Sequence, residues 1–156
     1  MRYLETIETK IPAPVVAATA GVTMKFYARA FGVVVDPSAL RMYVGIGIAQ
    51  VSGIIALAAV AAMWRARTTI NPFDPTRARN LVTGGIFRVT RNPMYLALLL
   101  LLVAYAVRID SPVVWLAPVV FVAYVTRFQI RPEERVLEAK FGEAYLSYRA
   151  RTRRWV

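Results

Sequence analysis

The sequence contains neither cysteine nor histidine. This excludes disulfide bonds, thiol nucleophiles, metal sites built from these two residues, and acid–base catalysis by an imidazole. Negative charge is also scarce, because nine Asp and Glu stand against 20 Lys and Arg in 156 residues. A metal site of carboxylates alone stays formally possible, but the acidic residues are spread thinly and we predict no metal.

Apolar residues and positive charge are in excess. The sequence is 58% hydrophobic with a formal charge of +11 at pH 7, whereas soluble proteins are roughly 45–50% apolar. In a soluble protein this charge would indicate a nucleic-acid partner. Here the basic residues flank long apolar runs, which indicates membrane topology and contact with anionic lipid instead. We therefore predict one integral membrane domain over residues 1–156, with the lipid bilayer as partner, no nucleic acid and no cleavable signal peptide.

Four apolar segments predict an all-α fold with about four transmembrane helices, since about 20 helical residues cross a bilayer. The predicted spans are residues 11–31, 40–64, 93–109 and 112–129. Ser111 and Pro112 form a tight connection, which makes the third and fourth spans an antiparallel hairpin. A separate amphipathic cytoplasmic helix is predicted over residues 132–150.

Small residues recur at four-residue spacing in the second span, at Gly45, Ala49 and Gly53. Such spacing lets helices approach closely in lipid. Packing within one protomer is favoured over a dimer face, and the oligomeric state stays open.

Charge distribution predicts the orientation. If the N-terminus, the 65–91 loop and the tail share one side, that side carries 16 of the 20 basic residues. The positive-inside rule places it in the cytoplasm, so we expect an inner-membrane protein with both termini cytoplasmic. Loops as long as 65–91 are usually functional or disordered. The turns at Asn71-Pro72 and Asp74-Pro75 favour order.

The end of that loop, residues 84–95, is a candidate site. Pro93 suits the first position of a helix and Asn92 suits its N-cap. The free N–H groups of the first turn attract an anion, and Arg91 lies beside them. The backbone of Gly84 and Gly85 can come close to a ligand. A capped membrane helix with an arginine at the headgroup level explains the same stretch equally well.

A carboxylate in the tail lies on an apolar stripe. The stripe consists of Glu134, Leu137, Phe141, Tyr145 and Tyr148, at three- and four-residue steps. Glu134 therefore needs a partner or a polar ligand. The hairpin places Glu133 and Glu134 near Arg91, on the cytoplasmic face.

Together these groups suit an amino-acid-like ligand. Its carboxylate would lie toward Arg91, and its ammonium or a ribose hydroxyl toward Glu134. Tyr95 would line the membrane-side wall. Without a nucleophile or a histidine base, the chain favours chemistry that depends on positioning, such as in-line methyl transfer.

The double motif resembles a known family. Gly85-Ile86-Phe87-x-x-x-Arg91-Asn92-Pro93-Met94-Tyr95, a hydrophobic hairpin, and Glu133-Glu134-x-x-Leu137-x-x-x-Phe141-Gly142-x-x-Tyr145-x-x-Tyr148 are similar to the isoprenylcysteine carboxyl methyltransferase family. The short bacterial members are the most similar. The family pattern is Arg-His-Pro-x-Tyr followed by Glu-Glu. Asn92 replaces the histidine, and asparagine can still donate and accept hydrogen bonds.

The resemblance implies that S-adenosylmethionine binds from the cytosol and that a lipophilic or lipidated acceptor arrives sideways from the bilayer. Arg91 and Glu134 are the candidate catalytic residues. Arg67 or Arg131 is a candidate for holding an acceptor carboxylate. The candidate cofactor-binding residues are Gly84, Gly85, Arg91, Asn92, Pro93, Tyr95, Glu133 and Glu134.

Several functions compete. Carboxyl methylation, as in isoprenylcysteine, is the first expectation, and N-methylation of a phospholipid or another lipid amine is the alternative. Sterol reductases share the double motif, but they are longer and use a nicotinamide cofactor. A small four-span transporter would place an acidic residue inside a span, which this sequence does not. A purely structural membrane protein leaves Glu134 unexplained.

Overall fold

The computed structural model describes residues 11–33, 35–67, 80–109 and 111–156. Predictions for the N-terminal ten residues and for the Asn71-Pro72 and Asp74-Pro75 turns lie outside the described residues.

Helices form nearly all of the described chain, as predicted. They are α1 (Ala13–Ala30), α2 (Ala39–Arg65), α3 (Pro93–Arg108), α4 (Leu116–Val125), α5 (Arg131–Phe141) and α6 (Glu143–Arg151). Two 3₁₀ turns, Gly85–Arg88 and Pro112–Trp115, and one π-helical turn, Thr126–Ile130, connect them. A single antiparallel bridge joins Val35 to Ile109 within the described residues.

Two helices are long and apolar enough to cross a membrane. One is α2, with 27 residues, and the other runs without interruption for 30 residues from Pro112 to Phe141. Leu57 and Trp64 on α2 are more than two-thirds exposed, which suits a helix that faces lipid. Helix α3 is apolar but shorter, and α1 carries Lys25 and Arg29. These findings support an all-α membrane protein, while the count of four spans stays a prediction.

The Pro112–Phe141 helix is longer than a bilayer requires. Thirty residues extend about 45 Å, whereas the hydrocarbon core is about 30 Å thick. Its apolar part ends at Ile130, and Arg131, Glu133, Glu134 and Arg135 follow. We therefore treat residues 112–130 as the spanning part and α5 as its extension beyond the hydrocarbon.

The close approach of α2 to another helix occurs within the protomer. A Cβ atom on Gly45 would lie 3.2 Å from the Ala104 carbonyl oxygen of α3. The buried Ser52 donates from Oγ to the Ala97 carbonyl oxygen at 2.7 Å. The predicted contact face of Gly45, Ala49 and Gly53 is wrong at Gly53, however, because nothing lies within 4 Å of a Cβ placed there. Gly45 and Ser52 form the contact because residues seven apart stay on one side of a helix.

The core lies between α1, α3 and the long helix. Its members include Met24, Leu102, Phe121, Val125 and Ile130, all buried. This packing fixes the ends of α3 and α5, from which the charged residues of the site project.

The predicted separate helix over residues 132–150 differs from the structure in two places. At its start, the π-helical turn carries α4 directly into α5. In its middle, Gly142 adopts φ +50° and separates α5 from α6. That backbone conformation favours glycine, which explains why the break falls there.

Candidate functional site

A cavity of about 480 Å³ lies where α2, α3, α5 and α6 meet. Ligand pockets typically enclose about 300–1,000 Å³. One wall is apolar and consists of Ala49, Gly53, Ala56, Met63, Leu98 and Leu101. The opposite end is polar and consists of Arg91, Asn92, Tyr95, Glu133, Glu134, Tyr145 and Tyr148. The cavity therefore joins an apolar compartment to a charged one.

Arg91 and Glu134 meet at the polar end. Arg91 Nη2 donates to Glu134 Oε1 at 2.7 Å, and the two side chains are only 9% and 12% exposed. Arg91 Nη1 donates to the Arg149 carbonyl oxygen at 3.1 Å. The structure thus brings the two sequence motifs together. It corrects the expected arrangement of two separate charges, because the two groups already neutralise each other.

A second arginine, Arg154, also binds Glu134. Its Nε donates to Oε1 at 3.0 Å and its Nη2 to Oε2 at 2.7 Å, a bidentate contact. Burial alone would raise the pKa of Glu134, but the hydrogen bonds and charges of Arg154 and Arg91 outweigh it and hold that pKa below its ordinary value. Sequence reasoning missed Arg154, since only the general basic character of the tail pointed to it.

Glu133 has a different environment. Tyr95 donates from Oη to Glu133 Oε2 at 3.1 Å, and no cation pairs with Glu133 among the described residues. Burial raises the pKa of Glu133 to about 7, the Tyr95 hydrogen bond opposes that rise, and the neighbouring Glu134 adds to it. The cavity therefore holds one carboxylate that arginines neutralise and one that they do not.

Asn92 occupies the predicted N-cap position, but its side chain does not cap the helix. Asn92 Nδ2 donates to the Arg154 carbonyl oxygen at 2.8 Å, and the backbone N–H of Asn92 donates to Thr90 Oγ1 at 3.1 Å. The side-chain amide of Asn92 thus binds the C-terminal residues, and the prediction that this side chain caps α3 is wrong. Pro93 does occupy the first helical position, as predicted.

Gly84 and Gly85 do not line the cavity within the described structure. Gly85 adopts φ +61° and begins the 3₁₀ turn, which presents Phe87 to the cavity instead. The Phe87 carbonyl oxygen accepts a 2.7 Å hydrogen bond from Tyr148 Oη. Gly85 thus serves the shape of the turn, and contact of either glycine with a ligand stays a prediction.

The stripe in the tail largely converges on the cavity. Glu134, Leu137, Tyr145 and Tyr148 all line it, whereas Phe141 does not. Burial raises the pKa of Tyr145 to about 12, so its hydroxyl stays neutral. The two tyrosine rings meet edge to face at 6.4 Å. The break at Gly142 turns the chain without removing these side chains from the site.

Arg67 and Arg131, the candidates for an acceptor carboxylate, are exposed and do not line the cavity. Among the described residues, Arg91 is the cationic residue that lines the cavity, and Glu134 already neutralises its charge.

The π-helical turn Thr126–Ile130 directly precedes the pair Glu133 and Glu134. Gln129 Nε2 donates to the Ile11 carbonyl oxygen at 2.8 Å, and Trp155 Nε1 donates to Thr126 Oγ1 at 3.3 Å. π-helical turns occur often at functional sites because they re-aim the side chains that follow. No pattern in the sequence predicted this one.

One polar atom of the site lacks a partner. Arg91 Nε is buried and has no hydrogen-bond partner among the described residues. Leaving such a donor unpaired costs about 1–3 kcal/mol. The arrangement can therefore bind a ligand with an anionic group near Arg91 and a cationic group near Glu133.

Comparison with known proteins indicates a family. The model of the phospholipid methyltransferase family matches residues 40–144. An uncharacterised protein of Haemophilus influenzae is 41% identical over 63 residues, which are 40% of this chain and 100% of that protein. No solved structure matches. The family match includes every charged residue that lines the cavity but ends before Arg154.

Proposed function

Because the chain belongs to the phospholipid methyltransferase family of membrane methyltransferases, we propose that it binds S-adenosylmethionine and methylates a lipophilic acceptor from the bilayer. This family fits the resemblance to isoprenylcysteine carboxyl methyltransferases. Among the alternatives, family membership favours an enzyme over a transporter or a purely structural protein.

The observation that carries the proposal is a cavity lined by Arg91, whose buried Nε has no partner in the described structure, together with acidic and aromatic side chains. S-adenosylmethionine has a carboxylate, an ammonium, a sulfonium and an adenosine. The Arg91 guanidinium suits the carboxylate, and Phe87, Tyr145 and Tyr148 supply aromatic surface. The side chains that line the cavity therefore fit the cofactor.

When bound, S-adenosylmethionine supplies an electrophilic methyl group on its sulfonium sulfur. The residues of this chain bind and orient. The Arg91–Glu134 ion pair fixes the guanidinium, so that Nε keeps one direction. The apolar wall from α2 excludes water and accommodates a hydrocarbon chain. Positioning of this kind contributes much of the rate in a transfer between two bound groups.

The charges in the cavity favour an amine acceptor over a carboxylate acceptor. A carboxylate would need a cation beside the methyl group, but Glu134 neutralises Arg91, and Arg67 and Arg131 lie elsewhere. An ammonium finds Glu133, whose carboxylate has no cationic partner in the described part of the chain. This distribution supports N-methylation of a lipid amine.

Glu133 is suited to act as the base in that reaction. Tyr95 Oη holds Oε2, which leaves Oε1 for the proton that an ammonium must lose before its nitrogen attacks. A base works best when its pKa lies near the working pH, and burial raises the pKa of Glu133 to about 7.

We propose that the polar end of the cavity faces the cytoplasm, since the basic residues cluster there. The chain has no native cysteine, so single cysteines report topology directly. Ala30→Cys and Ser147→Cys are both at exposed positions. An impermeant maleimide added to intact cells should label Ala30→Cys only, and labelling of Ser147→Cys would reverse the orientation.

Calorimetry of the purified protein with S-adenosylhomocysteine tests the cofactor. Binding with one site per chain is expected, and folded protein that shows no binding in several detergents and lipids contradicts the proposal.

A screen of labelled-methyl transfer tests the acceptor. The rate of methyl transfer should differ among vesicles that contain an aminophospholipid, a prenylcysteine analogue or a fatty acid. Transfer to the aminophospholipid should be the fastest. Transfer to the prenylcysteine carboxylate alone would restore carboxyl methylation as the function.

A further inference from the structure

The last residues of the chain return across the polar end of the cavity. We define the C-terminal strap as residues 152–156. The Arg153 carbonyl oxygen accepts from the Arg91 backbone N–H at 3.0 Å. The Arg154 carbonyl oxygen accepts from Thr90 Oγ1 at 3.2 Å and from Asn92 Nδ2 at 2.8 Å. Three consecutive residues before α3 thus depend on the strap for hydrogen bonds.

The side chain of Arg154 reaches the other motif. Its guanidinium binds both oxygens of Glu134, while Arg91 binds one of them from the other side. Arg154 does not itself line the cavity within the described structure. Its backbone holds the residues around Arg91 and its side chain holds Glu134, so one residue joins the two motifs.

Trp155 anchors the strap at a third point. Its Nε1 bonds Thr126 Oγ1 at the start of the π-helical turn, and its ring packs against the core. The turn precedes Glu133 and Glu134 on the same helix. Movement of the strap would therefore disturb both the carboxylates and the segment that aims them.

We propose that Arg154 is a positioning residue of the cofactor site, which keeps Glu134 ionised and oriented so that the Arg91 guanidinium stays in place at the polar end of the cavity. The proposal rests on the proposed function, since the ligand is taken to be S-adenosylmethionine. It concerns a residue beyond the range that the family match covers.

Electrostatics distinguish this role from simple attachment of the tail. Among the described residues, the charged and titratable groups that face Glu134 are Arg91, Arg154, Glu133 and Tyr145. Of these, Arg91 alone still favours the ionised carboxylate once Arg154 is removed, while Glu133 opposes it. The pKa of Glu134 then rises, and its ionised form is lost at a higher pH than in the wild type. A variant that merely loosens the tail does not produce this pH dependence.

The test uses Arg154→Gln, Arg154→Lys and, as a control with the same charge change, Arg153→Gln at an exposed position. Affinity for S-adenosylhomocysteine is measured by calorimetry at several pH values in one detergent. A charge-assisted hydrogen bond corresponds to about tenfold in affinity. Arg154→Gln should bind about tenfold more weakly near neutral pH and still more weakly as the pH falls. Arg154→Lys should lie between it and the wild type, and Arg153→Gln should match the wild type.

Two results overturn the proposal. In one, Arg154→Gln binds like Arg153→Gln at every pH. In the other, Arg154→Gln and Arg154→Lys lose the same factor at every pH, as expected for a purely structural contact. If Arg154→Gln does not fold, as judged by thermal unfolding, the pH dependence of S-adenosylhomocysteine binding to Arg154→Lys tests the proposal instead. Absence of binding to the wild-type protein overturns the proposed function, and this proposal with it.

Discussion

Helix α5 carries two ion pairs of equal length, an inner pair that lines the cavity and an outer pair that is exposed. Arg91 and Glu134 form the inner pair at 2.7 Å, and Arg149 and Glu138 form the outer pair at 2.7 Å. The inner side chains are 9% and 12% exposed, whereas the outer ones are 42% and 43% exposed. Distance therefore does not distinguish the pairs, and burial does.

Burial changes what each pair contributes. An exposed pair is worth about 0–1 kcal/mol because water screens its charges. Breaking a buried pair costs about 3–5 kcal/mol because the remaining charge has no water to solvate it. Glu133 extends the comparison, since it is a carboxylate near the inner pair with no cation in the described chain. One helix thus presents a buried carboxylate paired with arginines, a carboxylate bonded to a tyrosine and an exposed carboxylate within six residues.

The largest effect is expected for Glu134→Gln. It leaves the guanidiniums of Arg91 and Arg154 without their carboxylate, so the free energy of unfolding should fall by about 3 kcal/mol. Affinity for S-adenosylhomocysteine should fall sharply as well. Denaturation in mixed micelles and calorimetry measure the two effects. Equal losses for Glu134→Gln and Glu138→Gln would remove the distinction between the buried pair and the exposed pair.

Glu133→Gln separates reactivity from stability. If Glu133 is the base, methyl transfer to an amine lipid should fall about 100-fold, while affinity for S-adenosylhomocysteine changes much less. The wild-type rate should rise as the pH increases through about 7, where Glu133 loses its proton, and the variant should lack that rise. If the rate of Glu133→Gln still rises as the pH increases through about 7, a group other than Glu133 is the base.

Acidification should weaken the inner pair. The pKa of Glu134 in the folded protein lies below its ordinary value, so its stabilising contribution is complete above about pH 4.3, the ordinary value. It is lost as the pH falls from there through the folded-state pKa. The stability difference between wild type and Glu134→Gln should therefore shrink in acid. Thermal unfolding measured between neutral pH and pH about 3 checks this, and a difference that stays constant contradicts it.

The smallest effect is expected for Glu138→Gln. Its partner Arg149 is exposed, so the free energy of unfolding should change by less than about 0.5 kcal/mol, and added salt should reduce even that. The Arg149 carbonyl oxygen that accepts from Arg91 is part of the backbone and stays in place. A loss above about 2 kcal/mol would mean that this pair, too, holds the site together.

Local patterns in the sequence predicted the helices and part of the site. Pro93 at the start of α3 and Glu134 on an apolar stripe follow from residue type and helical periodicity, which are local properties. The hairpin connection then placed Glu134 near Arg91. These inferences needed no knowledge of contacts between distant segments.

What the patterns missed depends on contacts between distant segments. Arg154 reaches Asn92 across 62 positions, and neither spacing nor composition separates it from the exposed Arg153. The π-helical turn, held by Gln129 and Trp155, has no local signature. Gly142 could be recognised as a poor helix former, but its positive φ, which ends α5, could not.

The uninterrupted helix from Pro112 to Phe141 also ties the site to the lipid. A continuous helix of 30 residues is expected to respond to a mismatch with bilayer thickness by tilting. The end that carries Glu133 and Glu134 would then move with it, since no loop lies between. Helix α3 is shorter, so we expect it to tilt by a different amount and the geometry between Glu134 and Arg91 to vary with the lipids present. The proposed methyl transfer should therefore be fastest in vesicles of one acyl chain length.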